Sequence, residues 1–355
     1  MSNPWAWWLS RNGTERFHLA RKAGWDAFVN AAPREPLERL DRAGLAQLSE
    51  DERVDYDEAR MVWNANLPTV KTPQLQAAYS IIDQVMASAH RDGDRLRGSV
   101  VIDAPPGLGK STIATRYARD FHRRVYRREG PLTPEGHQRL PVAFIPLTAG
   151  MTLKGLNAKI LEFYGHPAAT RASTSALGAV AVDCVLSCQT RIVVVDDLHF
   201  IDFKHRNGME VSNHLKWLAN EMPVTFVFVG VQLAAKRFFD EGLLGEQSAY
   251  AQTSRRATRC PVAPFTTGTD AGFQAWIRVL RAFEEHLILA DAHPGMLTDH
   301  THELFRRTQG HMASLTNLID RACWVAITTG AERIDAGVLA QVTVDNAGEL
   351  AARAR

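Results

Sequence analysis

The chain has 355 residues, a formal net charge of +2 and 45% hydrophobic residues. This length allows one large domain with smaller parts, and the balanced charge excludes nucleic-acid binding through bulk basicity, so any such binding needs a local patch. The four cysteines form no C-x-x-C pair, and no apolar run is long enough to cross a bilayer. We therefore expect a cytoplasmic protein with reduced thiols and no membrane partner.

Residues 1–60 are predicted to form a helical extension, because aromatic and aliphatic residues are interspersed with charged ones. Three tryptophans, Trp5, Trp7 and Trp8, are costly to leave in water. They pack either on the protein's own core or on a partner, and the sequence leaves both open. An amphipathic helix is predicted next, from Gln74 to about His90.

A buried strand, a glycine-rich turn and a helix are predicted in succession over residues 99–119. The turn departs from the pattern G-x-x-x-x-G-K-[ST] at Ala104, where alanine is acceptable if φ stays negative. Backbone N–H groups of such a turn surround a phosphate, Lys110 reaches the outer phosphates, and the Ser111 hydroxyl can ligate Mg²⁺. The predicted nucleotide-binding residues are Pro106, Gly107, Leu108, Gly109, Lys110, Ser111 and Thr112.

The predicted helix continues into a basic stretch, Arg116–Arg128, which is either a solvated helix face or a binding patch. A second strand is predicted over Val142–Leu147. A loop, residues 148–155, follows that strand and leads into a helix over Leu156–Tyr164. The loop is expected at the same edge of the sheet as the phosphate-binding turn.

Two carboxylates follow a run of four apolar residues in the segment Arg191–His199. Such a run predicts a fully buried parallel strand, and its carboxyl end is where open α/β sheets bind ligands. This is a Walker B pattern, in which Asp196 would hold Mg²⁺ and Asp197 would orient or deprotonate the attacking water. Aspartate is one methylene shorter than the glutamate usual at the second position, so slow hydrolysis is expected.

A helix over Val211–Met222 and a central strand over Val224–Val231 come next, and Gln232 is the nearest candidate to sense a γ-phosphate. The arginine-rich segment Thr253–Cys260 precedes a short predicted strand at residues 262–265, and an arginine here could reach a neighbouring subunit's nucleotide. The remainder is predicted helical, over Asp270–Leu287, His300–Thr308, Met312–Thr328 and Asp335–Ala340.

These motifs, in this order, resemble the TniB/TnsC family of AAA+ transposition ATPases. Beyond the nucleotide motifs, the resemblance rests on Thr72-Pro73, Thr152–Pro167, Asp196–His199, Asn213–Leu218 and Val227–Val231. It implies an α/β AAA+ P-loop NTPase with a central parallel sheet. The implied domains are an N-terminal helical extension with a possible docking role (1–60), the nucleotide-binding domain (61–266) and a C-terminal helical lid and tail (267–355).

The resemblance also implies a function: a homo-oligomeric ATPase, forming a ring or filament on duplex DNA, that recruits a DDE transposase with a target-selection adaptor. Phosphate contacts without sequence preference would come from Thr152 and Lys154 in one loop and from Lys204 and Arg206 in another. The arginine acting in trans would be Arg256, with Arg259 as the second choice.

Two competing functions are expected from the same motifs. One is a helicase loader or replication initiator ATPase of the same fold. The other is a nucleotide-switched signalling or defence scaffold that does not bind DNA. The short carboxylate at Asp197, and Ala313 where a second sensing arginine is expected, favour the scaffold.

Overall fold

The computed structural model describes residues 3–90, 97–170, 173–201, 206–233 and 257–343, without the side chains at positions 89, 174, 175, 206 and 207. No helix within these ranges is long and apolar enough to cross a membrane. The α-helices of the described ranges are α1 (Pro4–Asn12), α2 (Lys22–Asn30), α3 (Arg42–Gln47), α4 (Glu50–Ala65), α5 (Pro73–Met86), α6 (Lys110–Glu129), α7 (Leu153–Tyr164), α8 (Thr174–Ser187), α9 (Arg206–Glu221), α10 (Asp270–Glu284), α11 (Thr301–Thr308), α12 (Met312–Thr328) and α13 (Ala336–Gln341).

Five parallel strands form one sheet in the order β2-β3-β4-β1-β5. The strands are β1 (Ser99–Asp103), β2 (Val142–Pro146), β3 (Ile192–Asp196), β4 (Thr225–Gly230) and β5 (Ala257–Pro261). The middle residues of β1 and every residue of β3 and β4 are buried. The predicted α/β fold with a central parallel sheet is therefore confirmed.

The last strand was predicted in the wrong place, at residues 262–265. It lies at Ala257–Pro261, where Arg259 pairs in register with Val101 of β1. As an edge strand β5 buries only Cys260, and its other residues are exposed or half-buried. A strand of this kind lacks the apolar run that identifies a central strand, and this explains the error.

The chain divides into two compact units, neither of which is a single segment. One comprises Met1–Arg16, Ala32–Pro73 and Pro264–Arg355, and the other comprises Phe17–Ala31 and Gln74–Ala263. The sheet lies entirely in the second unit. The predicted boundaries at 60 and 266 stay a prediction, but the first 60 residues contribute to both units.

In the first unit, helices from the two ends of the chain share a core. Trp5 and Trp8 are buried in a cluster with Tyr56 and Ile288, whereas Trp7 is 53% exposed. Two of the three N-terminal tryptophans therefore pack on the protein's own residues. A buried ion pair adds to this core, with Arg60 Nη1 2.6 Å from Glu332 Oε2.

In the second unit, part of the basic stretch Arg116–Arg128 holds helix α2. Arg123 donates a hydrogen bond to the backbone oxygen of Val29 (2.6 Å), and Arg119 donates one to that of Ala31 (3.0 Å). These oxygens belong to the end of α2, where backbone acceptors lack helical partners. The guanidinium groups thus stabilise the helix terminus, so this part of the stretch is not simply a solvated face.

A buried histidine of α6 also joins α2. Trp25 Nε1 donates to His122 Nδ1 (3.1 Å), and the Trp25 ring stacks on Phe144 of β2. Burial lowers the pKa of His122 from 6.5 to about 4. A neutral imidazole is required here because Nδ1 accepts the indole hydrogen.

We expect this site to make stability fall with acid. The unfolded chain takes up a proton near pH 6.5, while folded His122 does so only below about pH 4. The free energy of unfolding should fall from pH 6.5 towards pH 4, with a contribution from His122 of roughly 3 kcal/mol. Urea unfolding of His122→Gln across this range is expected to show a weaker pH dependence. Replacement of the exposed His137 by glutamine should leave the dependence unchanged.

Candidate nucleotide-binding site

The parallel sheet places the carboxyl ends of β1, β4 and β3 side by side at one edge. Asp103 ends β1, Gly230 ends β4 and Asp196 ends β3. The phosphate-binding turn follows β1, the acidic pair lies at the end of β3, and Gln232 comes just after β4. Residues separated by more than 100 positions are therefore neighbours at the edge where open α/β sheets bind ligands.

The predicted phosphate-binding turn depends on two left-handed glycines. Gly107 has φ 77° and Gly109 has φ 81°, and Gly109 is the N-cap of α6. Ala104 is buried and does not have a positive φ, so the missing first glycine carries no backbone penalty. Leu108 packs into the core, which leaves only its backbone for a ligand. The free N–H groups at the start of α6 favour an anion.

Lys110 is the first residue of α6 and its side chain is buried. Its Nζ donates to the backbone oxygen of Pro105 at 2.7 Å. Burial lowers the pKa of Lys110, and the carboxylates of Asp103, Asp196 and Asp197 oppose this shift. A cation surrounded by acidic groups within a loop of N–H donors is suited to bind a polyphosphate.

The Ser111 hydroxyl lies near enough to the carboxylate of Asp196 to lower its pKa. Asp196 is only 6% exposed, and its Oδ1 also accepts the Asp197 N–H at 2.9 Å. Burial raises the pKa of Asp196, while the Ser111 hydroxyl and the Asp197 N–H oppose the rise. A hydroxyl and a carboxylate are the oxygen ligands that Mg²⁺ prefers, so the predicted metal residues fit this ion.

Asp197 and Gln232 share an uncommon backbone conformation. Asp197 has φ 58° and Gln232 has φ 53°, which is the left-handed region that favours glycine. The Asp197 side chain is 46% exposed, and its Oδ1 lies 3.8 Å from His199 Nδ1. Gln232 is exposed. Strained residues of this kind concentrate at functional sites.

The described candidate DNA-binding residues follow two neighbouring strands of the sheet, β2 and β3. Thr152 and Lys154 are exposed at the start of α7, which begins three residues earlier than predicted. Thr152 is its N-cap, and the hydroxyl oxygen accepts the Gly155 N–H at 3.1 Å. Arg206 begins α9, and Lys204 lies outside the described residues.

The first-choice arginine for action in trans, Arg256, lies outside the described residues as well. Arg259, the second choice, is an exposed residue of edge strand β5. The structure therefore places only one of the two arginines, on the strand beside β1.

Two polar contacts of this unit were missed from the sequence. His214 Nε2 of α9 lies 2.7 Å from the side-chain oxygen of the fully buried Asn157 in α7. Burial lowers the pKa of His214. Separately, Asp103 Oδ1 accepts the Leu233 N–H at 3.0 Å. Asp103 could have been identified from the sequence, because its carboxylate directly follows the apolar run of β1.

Comparisons with known proteins agree with this geometry. Residues 93–238 match the sequence profile of the AAA domain family, AAA_22.

The chain has the AAA+ P-loop NTPase fold.

Three solved structures are similar to it. Aeropyrum pernix Orc1, solved in complex with DNA, has a TM-score of 0.56 and 16% identity over 78% of this chain and 67% of its own. Cdc6p from Pyrobaculum aerophilum has a TM-score of 0.54 and 13% identity over 76% of this chain and 66% of its own. A Walker-type ATPase of Pyrococcus abyssi has a TM-score of 0.50 and 13% identity over 78% of this chain and 74% of its own. A comparison with curated protein sequences gives no match.

Replacement of Lys110 by alanine is expected to weaken ATP binding by roughly 100-fold, because a charge-assisted contact to phosphate contributes about 2–3 kcal/mol. A fluorescent ATP analogue in an anisotropy titration measures the change. Lys159→Ala is the matched control, since Lys159 pairs with Glu162 on α7 away from the turn. Equal affinity of Lys110→Ala and the wild type would contradict the assignment.

Proposed function

We propose that this protein is an ATPase that assembles on duplex DNA in its ATP-bound form. The nucleotide part is supported by the parallel sheet, which brings the phosphate-binding turn after β1 and the buried Asp196 at the end of β3 to the same edge. This joins the phosphate-binding turn to the acidic strand, as ATP hydrolysis requires.

Each of these side chains has a role in the proposed reaction. Lys110 and the backbone N–H groups of residues 107–112 bind the phosphates. Ser111 and Asp196 would hold Mg²⁺, which neutralises phosphate charge when bound. Asp197 accepts a hydrogen bond from the attacking water or takes its proton, and the exposed Gln232 contacts the γ-phosphate. Arg256 of a neighbouring copy completes the site in an oligomer.

The DNA part of the proposal rests on the segments that follow β2 and β3. Thr152 and Lys154 are exposed at the start of α7, and Arg206 is the first residue of α9. Lys204, two residues before Arg206 in the sequence, is the fourth proposed contact. Hydroxyl, ammonium and guanidinium groups contact phosphate oxygens without reading bases. Because several copies would each add a few contacts, a net charge of only +2 is compatible with tight binding.

The cellular role that we propose is target selection in transposition, with recruitment of a DDE transposase and a target-selection adaptor. The motif resemblance in α7, β3 and α9 supports this role. A replication initiator or helicase loader is the second candidate, favoured by the fold similarity to Orc1 and Cdc6p. A transposase gene beside this one would favour the first role, and a replication gene would favour the second.

The DNA proposal predicts that the protein binds duplex DNA only in the presence of a nucleoside triphosphate. Its affinity should be the same for different DNA sequences and should fall steeply as the salt concentration rises. Fluorescence polarisation with random-sequence duplex DNA, in ADP, ATP or a non-hydrolysable analogue, tests it over a salt series. Lys154→Ala is expected to make the slope of log affinity against log salt concentration less steep by about 1 for each bound subunit, because each subunit then makes one phosphate contact fewer. Lys159→Ala, on the same helix, should bind as the wild type does.

Each alternative has its own outcome in this assay. Binding that prefers one duplex sequence would favour the replication initiator over the transposition regulator. Absence of DNA binding in every nucleotide state, with ATP binding intact, would overturn the DNA proposal and favour the signalling scaffold.

A further inference from the structure

Asp103 lies between the phosphate-binding turn and the segment that follows β4. It ends β1 and pairs in register with Gly230, the last residue of β4. Its Oδ1 accepts the Leu233 N–H at 3.0 Å. The carboxylate thus bridges the ends of two neighbouring strands, and Gln232 is the residue just before the amide that it holds.

The turn from Gly230 to Leu233 is closely packed as well as hydrogen-bonded. Leu233 is fully buried, and a Cβ added to Gly230 would lie 2.7 Å from its Cδ2. Gln232, in contrast, is exposed and has φ 53°. A glutamine keeps this uncommon conformation only when its surroundings hold it there. The fixed Leu233 amide and side chain do so on one flank, and β4 does so on the other.

We propose that Asp103 is a positioning residue, which holds the turn after β4 so that the Gln232 amide faces the terminal phosphate of a nucleoside triphosphate. This deepens the proposed ATPase function and rests on it. Asp103 itself does not contact the nucleotide in this proposal. It acts through the Leu233 N–H, and a lost hydrogen bond would release the left-handed conformation of Gln232.

The Asp103 carboxylate has a second effect, since its charge also acts on Lys110. Asparagine separates the two effects. Asp103→Asn keeps an oxygen that can accept the Leu233 N–H but removes the charge, whereas Asp103→Ala removes both. Rescue by asparagine therefore assigns the role to the hydrogen bond.

The experiment compares the wild type, Asp103→Ala, Asp103→Asn, Gln232→Ala and the Asp103→Ala/Gln232→Ala double variant. For each, the affinities for ADP and for a non-hydrolysable ATP analogue are measured, together with kcat for ATP hydrolysis. Asp103→Ala and Gln232→Ala are each expected to lower kcat by about tenfold. Each should also lower the ratio of the affinity for the ATP analogue to the affinity for ADP by about tenfold, while the affinity for ADP itself stays nearly unchanged. The double variant should be no worse than either single one, because both act through one contact. Asp120→Ala, which removes an exposed carboxylate of α6, is the matched control.

Three results would overturn the proposal: additive losses in the double variant, no rescue by asparagine, or wild-type triphosphate preference in Asp103→Ala. Failure of the wild type to bind either nucleotide would instead overturn the proposed function. Amide hydrogen exchange of residues 230–233 distinguishes the two cases. The proposal requires faster exchange in Asp103→Ala than in Asp103→Asn, and equal rates would overturn it even without bound nucleotide.

Discussion

Parallel pairing of β1 with β4, and of β4 with β3, is the constraint on which the candidate site depends. Each strand contributes to the candidate site only at its carboxyl end, and the register of the paired strands determines which residues lie side by side there. Asp103 and Gly230 are register partners, so the turn after β4 begins level with the phosphate-binding turn. Because β4 lies between β1 and β3, the phosphate-binding turn and Asp196 lie one strand apart, and the Ser111 hydroxyl lowers the pKa of Asp196.

The central strands could be predicted because a strand buried on both faces is a continuous apolar run, as in Val193–Val195. The turn and the acidic pair were also predictable, since their residue types have few other uses in that order. Edge strand β5 was not, because one face is exposed. The contact between Trp25 and His122 joins residues 97 positions apart, and local patterns carry no information about such a distance.

Asp197 and Gln232 both have a strained, left-handed backbone conformation next to rigid, buried strands. Both are left-handed residues placed directly beyond buried strands. Buried neighbours can hold them there because β3 and β4 are buried throughout, whereas the Asp197 side chain is 46% exposed and Gln232 is exposed. Both residues were predicted from the sequence, but their conformation was not, since neither is a glycine. The backbone angles show that both residues adopt this conformation.

The Arg60–Glu332 ion pair has a consequence for synthesis of the chain. Its partners are 272 residues apart. At about 5–20 residues per second, translation places roughly 15–55 s between them. During that time Arg60 and the apolar face around Trp8 and Tyr56 lack the residues that cover them. The sheet, in contrast, is complete once residue 261 has emerged. The nascent protein thus exposes an uncovered apolar face after all strands of the described sheet have been synthesised, and transiently exposed surface of this kind promotes aggregation.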